Sequence, residues 1–313
     1  VKLSVVTCTL NPAAHRYARV LAGLRAQTLP LTEWEYLVVD NGSDEAIAER
    51  FDLSWHPLAR VVVEPEKGLT RARLKGFAEA QGDIVVFDDD DVILQADYLE
   101  KVVDYFTRHP FLGVVGGCGP AEYESAYPDW MKTFLGMVMD EAFTPNPKAP
   151  FQYAMAKQGG PWIPAGSAMA VRRVIAVHYA EVVRGDPFRL DLDRKGQGIA
   201  GAGDTDLAYT AMDLGWASGT ALDLCFTHLI PAHRLEPRYM ERLLYSTNYY
   251  SAKILLHRGW KKPVPAGRPT WRNRLAEALN LRARKPWPER CWIAYARGYR
   301  DGTADRPFDA FYA

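Results

Sequence analysis

The 313-residue sequence has only four cysteines, Cys8, Cys118, Cys225 and Cys291, and no two share a CxxC spacing. That scatter excludes a zinc site built on cysteine pairs and a disulfide-stapled small domain. It suits reduced core thiols in a cytosolic protein. Long apolar runs are also missing. No stretch reaches 18 residues, so no membrane-spanning helix is expected. The opening "VKLSVVTCTL" lacks a signal-peptide layout and reads directly as a strand. No internal repeat is present, and neither charge is in excess: 38 Lys and Arg balance 38 Asp and Glu. No nucleic-acid partner is expected. What remains is a soluble globular composition, long enough for one large domain or two small ones.

The balance of charge is uneven along the chain. Residues 253–300 carry thirteen Lys and Arg against Glu277 and Glu289, a net +11, which leaves −11 on the rest. Within this segment "WRNRLAEALNLRARK" (271–285) reads as an amphipathic helix, with Trp271, Leu275, Ala278 and Leu279 on one face. Trp260, Trp287 and Trp292 lie nearby. Two readings stand. The tail is a surface anchor for anionic lipid, or it packs on the acidic body.

Apolar runs at 3–8, 35–39, 61–63, 84–87 and 112–115 alternate with helix-like stretches at about 13–27, 44–51, 69–81 and 96–108. Short, nearly continuous apolar runs are expected of strands buried on both faces. The alternation predicts an α/β layer with a mixed, mostly parallel sheet flanked by helices. In such sheets ligands bind beyond the carboxyl ends of the strands. Thr9, Asn11, Asp40, Asn41 and Glu64 fall at those ends. From 116 to 203 the pattern weakens into Gly, Pro and aromatic residues. A helix is expected at 204–214, short strands near 216–226 and a helix at about 236–257. A linker at Pro263, Pro265 and Gly267 leads to a separate helical tail over 268–300.

Three features ask for chemistry. "IVVFDDDDVI" (84–93) runs a strand into Asp88, Asp89, Asp90 and Asp91. A helix cap explains one or two aspartates, not four. Hard divalent cations take oxygen ligands, and a cation would relieve the repulsion within the run. Asp40 in "YLVVDNGSD" can accept hydrogen bonds from a base or ribose, or can serve the Asn-Gly turn behind it. In "EKGLTRARLKG", Arg71 and Arg73 lie in the first turn of a helix, against its macrodipole. An anion bound there would offset the conflict.

Together these pieces resemble the family 2 glycosyltransferases with the GT-A (Rossmann-like) fold. The resemblance runs over roughly residues 3–250, in the family's order: "SVVTCTLN", "VVDNGSD", "GLTRARLKG", "GDIVVFDDDD", "IPAGSAMAVRR", "GDTDLAYTAMDLGW" and "THLIPAHR". It implies a metal-dependent, inverting enzyme. Such an enzyme moves a sugar from a nucleoside-diphosphate donor, UDP favoured, to a saccharide or lipid-linked saccharide, in polysaccharide or glycolipid synthesis. The family's DxD element becomes Asp88-Asp89-Asp90, holding Mg2+ or Mn2+ through Asp88 and Asp90, with Asp88 and Asp89 beside the donor. Asp40 and Thr9 line the nucleotide, Arg73 matches the arginine after the glycine, and His228 matches a position that ligates metal or contacts phosphate in some members. Arg234 would meet phosphate.

The family also supplies a base, in a Glu-Asp pair at the start of a helix. Here the pair reads Gly203-Asp204, so the first acid is missing and Asp204 is the expected base, with Asp206 the substitute. Capping of the helix at 205–214 is a compatible second role for Asp204. "PWIPAGSAMAVRR" (161–173) would line the acceptor, with Trp162 stacking on a pyranose or buried in the core, and Gly166 and Ser167 letting a sugar approach the backbone. "KGQGIAGAG" (195–203) reads as a lid. The expected division is a donor-binding half at 1–115, an acceptor and catalytic half at 116–258, and a C-terminal helical extension at 259–313. The enzyme would sit in the cytoplasm, at the inner face of the membrane if the tail binds lipid.

Two alternatives compete. "VVFDDDDV" also fits the nucleophile motif of haloacid-dehalogenase-like phosphatases, with Asp88 phosphorylated and Asp90 its acid partner. That motif normally ends the first strand of its domain, and here three strand–helix units precede it. The missing acid before Asp204 would also suit a sugar-nucleotide-binding protein that has lost turnover.

Overall fold

The computed structural model describes residues 1–138, 149–157, 159–196, 198–263 and 285–309. Contacts divide the chain into two compact units. The first comprises Val1–Glu122, Phe143–Gly196 and Gly203–Ile230; the second comprises Tyr123–Ala142, Gln197–Ala202 and Pro231–Ala313.

The first unit is built on a mixed sheet. Its strands are β1 (Leu3–Thr9), β2 (Trp34–Asp40), β3 (Ala59–Val63), β4 (Ile84–Phe87), β5 (Val92–Leu94), β6 (Leu112–Cys118), β7 (Ala121–Tyr123), β8 (Phe151–Ala154), β9 (Ala170–Arg172) and β10 (Ala217–Ile230). The order is β3-β2-β1-β4-β9-β6-β10-β5, with β7 and β8 pairing with β10 off that path. β1 is parallel to both β2 and β4. The chain first moves outward from β1 to β2 and β3, then returns to the other side of β1 with β4. That reversal between β1 and β4 is where a ligand crevice forms in open α/β sheets. Register sets Thr9 opposite Asp40 and Val6 opposite Phe87, so Thr9, Asp40 and Asp88 all lie at one edge.

Side chains alternate between the two faces of β1 and β2. Leu3, Val5, Tyr36 and Val38 join one core, where Tyr17, Val20, Leu21 and Leu24 of α1 (Ala14–Arg25) meet them. Val6, Leu37 and Val39 join the other, beneath α3 (Leu69–Glu79), α6 (Arg173–Arg184) and α8 (Gly203–Asp213). The short α2 (Ile47–Arg50) follows β2 and buries Ile47. α4 (Tyr98–Arg108) shows how sequence spacing sets a helix. Tyr98, Leu99, Val102, Tyr105 and Phe106 recur at helical intervals, and all are buried. Full burial of such side chains contributes roughly 1.5–3 kcal/mol each.

Two glycines let helix and sheet close up. A Cβ on Gly76 of α3 would lie 2.6 Å from Val6 Cγ1, and one on Gly82 would lie 2.5 Å from the Leu3 carbonyl carbon. α3 therefore sits tightly on β1, which carries Arg73, one turn earlier, toward the strand ends.

The expected loop region at 116–203 is more regular than its sequence suggests. It contains α5 (Lys132–Val138), β8, β9, α6 and α7 (Pro187–Leu190). β9 runs antiparallel between β4 and β6, through only three residues. The short strands expected near 216–226 are one strand, β10, with register shifts between Ala217 and Ser218 and between Thr220 and Cys225.

In the second unit α9 (Pro237–His257) packs against α10 (Trp287–Thr303). Cβ atoms on Gly298 and Gly302 would meet the carbonyl oxygens of Tyr245 and Tyr249 at 2.2 and 2.5 Å. Arg290 pairs at 2.6 Å with Glu241, which is fully buried. Tyr245, Tyr249 and Phe308 close the far end. This part of the basic tail therefore serves packing. Most of the amphipathic segment 271–285 and the linker residues beyond 263 lie outside the described residues.

Candidate active site

The aspartate run is the turn between β4 and β5. The Val92 amide donates to the Asp89 carbonyl at 3.0 Å, and β5 then pairs with β10 so that Val92 faces His228. The turn separates the four carboxylates. Asp88 points into the protein, 1 % exposed, and neither of its carboxylate oxygens has a hydrogen-bond partner. Burial, followed by its three neighbouring aspartates, pushes its pKa well above the carboxylate range. Asp90 accepts a short hydrogen bond from Thr9 Oγ1 at the end of β1. Asp91 lies 3.6 Å from His228 Nε2. Burial raises Asp89, while Arg73, His228 and Arg194 pull it back.

The expected metal set of Asp88, Asp90 and His228 is not brought together as a cluster. Among the described residues no group of three or more His, Cys, Asp or Glu side chains is arranged to hold a metal ion. Adjacent like charges repel, and Asp88, Asp90 and Asp91 point to different surroundings.

The loop after β2 is fixed by its own polar groups. Asp40 Oδ1 accepts from the Ser43 amide at 2.8 Å, the turn role that its sequence context allowed. Asn41 donates to the carbonyls of Glu64 and Glu66 and accepts from the Gly68 amide at 2.8 Å. It thereby ties the β2 end to the start of α3. Gly68 has φ 142°, in the region that favours glycine. The Leu69 amide donates to the Arg194 carbonyl at 3.0 Å, which brings the 193–195 segment to the same place.

Arg73 is buried there. Its Nη1 is 3.1 Å from Asp193 Oδ2, and its guanidinium lies over the Phe87 ring at 5.1 Å. Burial works against its charge, but Asp193, Asp89 and Asp204 outweigh that and hold its pKa above the ordinary value. Arg71, its neighbour in the sequence motif, points elsewhere and pairs with Glu66 at 2.5 Å. Cys8 of β1 sits in the same field, and burial pushes its thiol up to about 12.

Asp204 stands in the first turn of α8. Its Oδ2 accepts from the Gly166 amide at 2.7 Å and its Oδ1 from the Thr205 amide at 2.6 Å. Burial pushes its carboxyl above the ordinary range, and Arg73 offsets part of that. A Cβ on Gly166 would meet Arg73 Nη2 and Asp204 Oδ2, each at 2.9 Å, so glycine is required where those groups converge. Two residues later Ala168 holds φ 59°, a strained position for a non-glycine residue, and its carbonyl accepts from Tyr98 Oη. Trp162 is partly buried, its ring packed where a Gly160 Cβ would lie at 2.5 Å. β10 pins this loop, with Ser218 and Thr220 hydroxyls donating to the Trp162 and Pro161 carbonyls at 2.7 Å. Ser167 is partly exposed beside Gly166.

Asp206, the expected substitute base, is committed elsewhere. It is 1 % exposed and accepts from Arg189 Nε at 2.7 Å. Sequence reasoning missed Asp193. It is buried in the loop after α7, and its carboxylate receives Thr70 Oγ1, Arg73 Nη1 and the Gly203 amide. No motif marked it. The only signal was an acid in "RLDLDRKG", ten residues before the Gly203 anomaly.

The fold is of the GT-A type, with carboxylates, an arginine and a helix-borne aspartate gathered at the strand ends of its first unit. The chain belongs to glycosyl transferase family 2, whose family model matches residues 4–179. It is similar to the glucosyl-dolichyl phosphate glucuronosyltransferase of Haloferax volcanii, 29% identical over 135 residues, 42% of this chain and 40% of that one. It is also similar to the glycosyltransferase AglE of the same organism, 31% identical over 104 residues, 32% of this chain and 34% of that one. The matches thus span well under half the length of these relatives. Among solved structures, a mannosyltransferase of Pyrobaculum calidifontis in complex with GDP-Man and Mn2+ covers 94% of this chain and 74% of its own, with a TM-score of 0.57 and 21% identity.

Proposed function

We propose that the chain is a metal-dependent, inverting glycosyltransferase. It transfers a sugar from a nucleoside-diphosphate donor to an acceptor hydroxyl, in glycolipid or polysaccharide synthesis. The observation that carries this is Asp204: a buried carboxylate held by two backbone amides, made more basic by burial, and converging with Arg73 above Gly166. A general base of raised pKa suits proton removal from a hydroxyl near neutral pH. The acceptor oxygen forms its bond to the anomeric carbon while the bond to the diphosphate breaks. The hydroxyl proton goes to Asp204, and the nucleoside diphosphate leaves.

Asp88, Asp90 and His228 do not converge as they stand, but one feature supports a hard divalent cation, Mg2+ or Mn2+. Two buried carboxylate oxygens on Asp88 have no hydrogen-bond partner, and buried polar atoms in native proteins are nearly always satisfied. Asp88 and Asp90 would hold it, with His228 near through Asp91. When bound, it supplies positive charge to the diphosphate of the donor. Arg73 keeps a fixed positive charge beside the reacting groups. Thr9, Asp40 and Asp89 line the donor, and Trp162, Gly166 and Ser167 the acceptor.

UDP is the expected donor nucleotide, with GDP the alternative raised by the Pyrobaculum neighbour. A thermal-shift panel of nucleoside diphosphates, each with Mn2+ and with chelator, separates them. A stabilising shift that needs the metal supports the proposal, and its size reports occupancy through RT ln(1 + [L]/Kd). No shift with any nucleoside diphosphate would remove it. A lipid-linked acceptor agrees with the name of the Haloferax glucuronosyltransferase. Among the described residues no helix is long and apolar enough to cross a membrane. The lipid contact we propose is through the basic segment. Co-sedimentation with anionic vesicles that weakens with salt tests it, and no binding at low salt refutes it.

A further inference from the structure

We propose that Asp193 replaces the acid missing before Asp204. It is a positioning residue that holds Arg73 and the first turn of α8, so that Asp204 stays available as the base. This rests on the proposed role of Asp204.

The geometry is specific. Asp193 Oδ2 accepts from Thr70 Oγ1 and Arg73 Nη1, both at 3.1 Å, and Oδ1 accepts from the Gly203 amide at 3.2 Å. A Cβ on Gly203 would lie 2.2 Å from Asp193 Oδ2 and 2.7 Å from its Cγ. The Asp193 carboxylate therefore occupies the space that a side chain at 203 would enter. One acid fits there, and in this chain it arrives from the loop after α7 rather than from residue 203. Glycine at 203 is the sequence trace of that exchange.

The chemical effect follows from charge. Arg73 Nη2 and Asp204 Oδ2 approach the same point above Gly166. A full ion pair between them would stabilise the carboxylate and weaken it as a base. Asp193 takes the other end of the guanidinium, and the ion pair of Arg73 is with Asp193. The charged groups facing Asp204 are Arg73 and Asp193. Those facing Arg73 also include Asp89 and the Cys8 thiol.

The test uses the full chain and two kinds of variant. Asp193→Asn keeps the shape and an acceptor for the Gly203 amide but removes the charge. It should lower kcat by about 10–100-fold and leave the affinity for nucleoside diphosphate, read by thermal shift, within about threefold. The acidic limb of its kcat profile should move to lower pH, because a carboxylate that loses a negative neighbour becomes more acidic. A lower Tm with that limb unmoved would make Asp193 merely structural and overturn the proposal. Gly203→Glu alone should lower Tm sharply, and adding Asp193→Ala should recover most of the loss and bring kcat to within about tenfold of the parent. A double variant no better than Gly203→Glu in both respects overturns the exchange of space. The Tm coupling between 193 and 203 needs no turnover. A parent chain that transfers no sugar while the coupling holds would sink the base assignment and leave the exchange standing.

Discussion

Replacing Asp204 with Asn separates chemistry from structure. The carboxylate accepts two backbone hydrogen bonds, from Gly166 at 2.7 Å and Thr205 at 2.6 Å. Asn offers one side-chain acceptor, so one of these amides loses its partner at a cost of about 1–3 kcal/mol. Loss of a charge that burial disfavours offsets part of this. For a chain of this size 1 kcal/mol corresponds to about 2–4 °C, so Tm should fall by only a few degrees. The rate should fall far more. A general base contributes about 10²–10⁴-fold, or roughly 2.7–5.4 kcal/mol of barrier. Steady-state release of nucleoside diphosphate in the presence of acceptor, measured beside Tm and nucleotide affinity, reads all three quantities. Transfer within about threefold of the parent, with affinity and Tm intact, would refute the assignment. Asp206 could not inherit the role, since it is buried against Arg189.

The remaining expectations are shorter. Because burial raises Asp204, its ionised form is lost as pH falls through a value above the ordinary carboxylate, so kcat should drop there. Stability has the opposite sign. A raised carboxyl binds its proton more tightly in the folded chain, so its contribution is full below the unfolded value of about 3.9 and fades as pH rises through the folded value. Asp204→Asn should flatten both trends, read by a rate profile and by denaturant midpoints. Asp88→Asn removes a carboxylate whose charged form burial disfavours but leaves a buried amide in its place, so Tm in chelator should change little, and any Mn2+-dependent shift should be abolished. A Mn2+ shift that survives would place the cation elsewhere. Gly298→Ala drives a Cβ to 2.2 Å from the Tyr245 carbonyl oxygen and should cost about 1–3 kcal/mol in urea unfolding. An unchanged midpoint would mean that α10 does not depend on that contact.

The first 115 residues of the fold were legible because short apolar strands and amphipathic helices obey simple periods. β1, β2, β3, β4 and α4 stand within two residues of their expected bounds. The aspartates, Asp40, Arg73 and Asp204 were visible as motifs. The rest depended on long-range contacts. β9 is three residues long and becomes a strand only between β4 and β6. α6 carries Ile175, Ala176, Tyr179, Ala180 and Val183 at helical spacing, a signal hidden by the Gly- and Pro-rich sequence around it. The divergence of Asp88, Asp90 and His228 and the reach of Asp193 to Gly203 are matters of side-chain direction, which spacing does not encode.

The most direct measurement is proton NMR of the reaction, with an α-linked nucleoside-diphosphate sugar as donor and Mn2+ present, using water as acceptor where no better one is known. The first-formed sugar should appear as the β-anomer with one equivalent of nucleoside diphosphate released, and both should form about 10²–10⁴-fold more slowly with Asp204→Asn. An α-anomer formed first, or inorganic phosphate released without the sugar leaving its diphosphate, would contradict inverting glycosyl transfer.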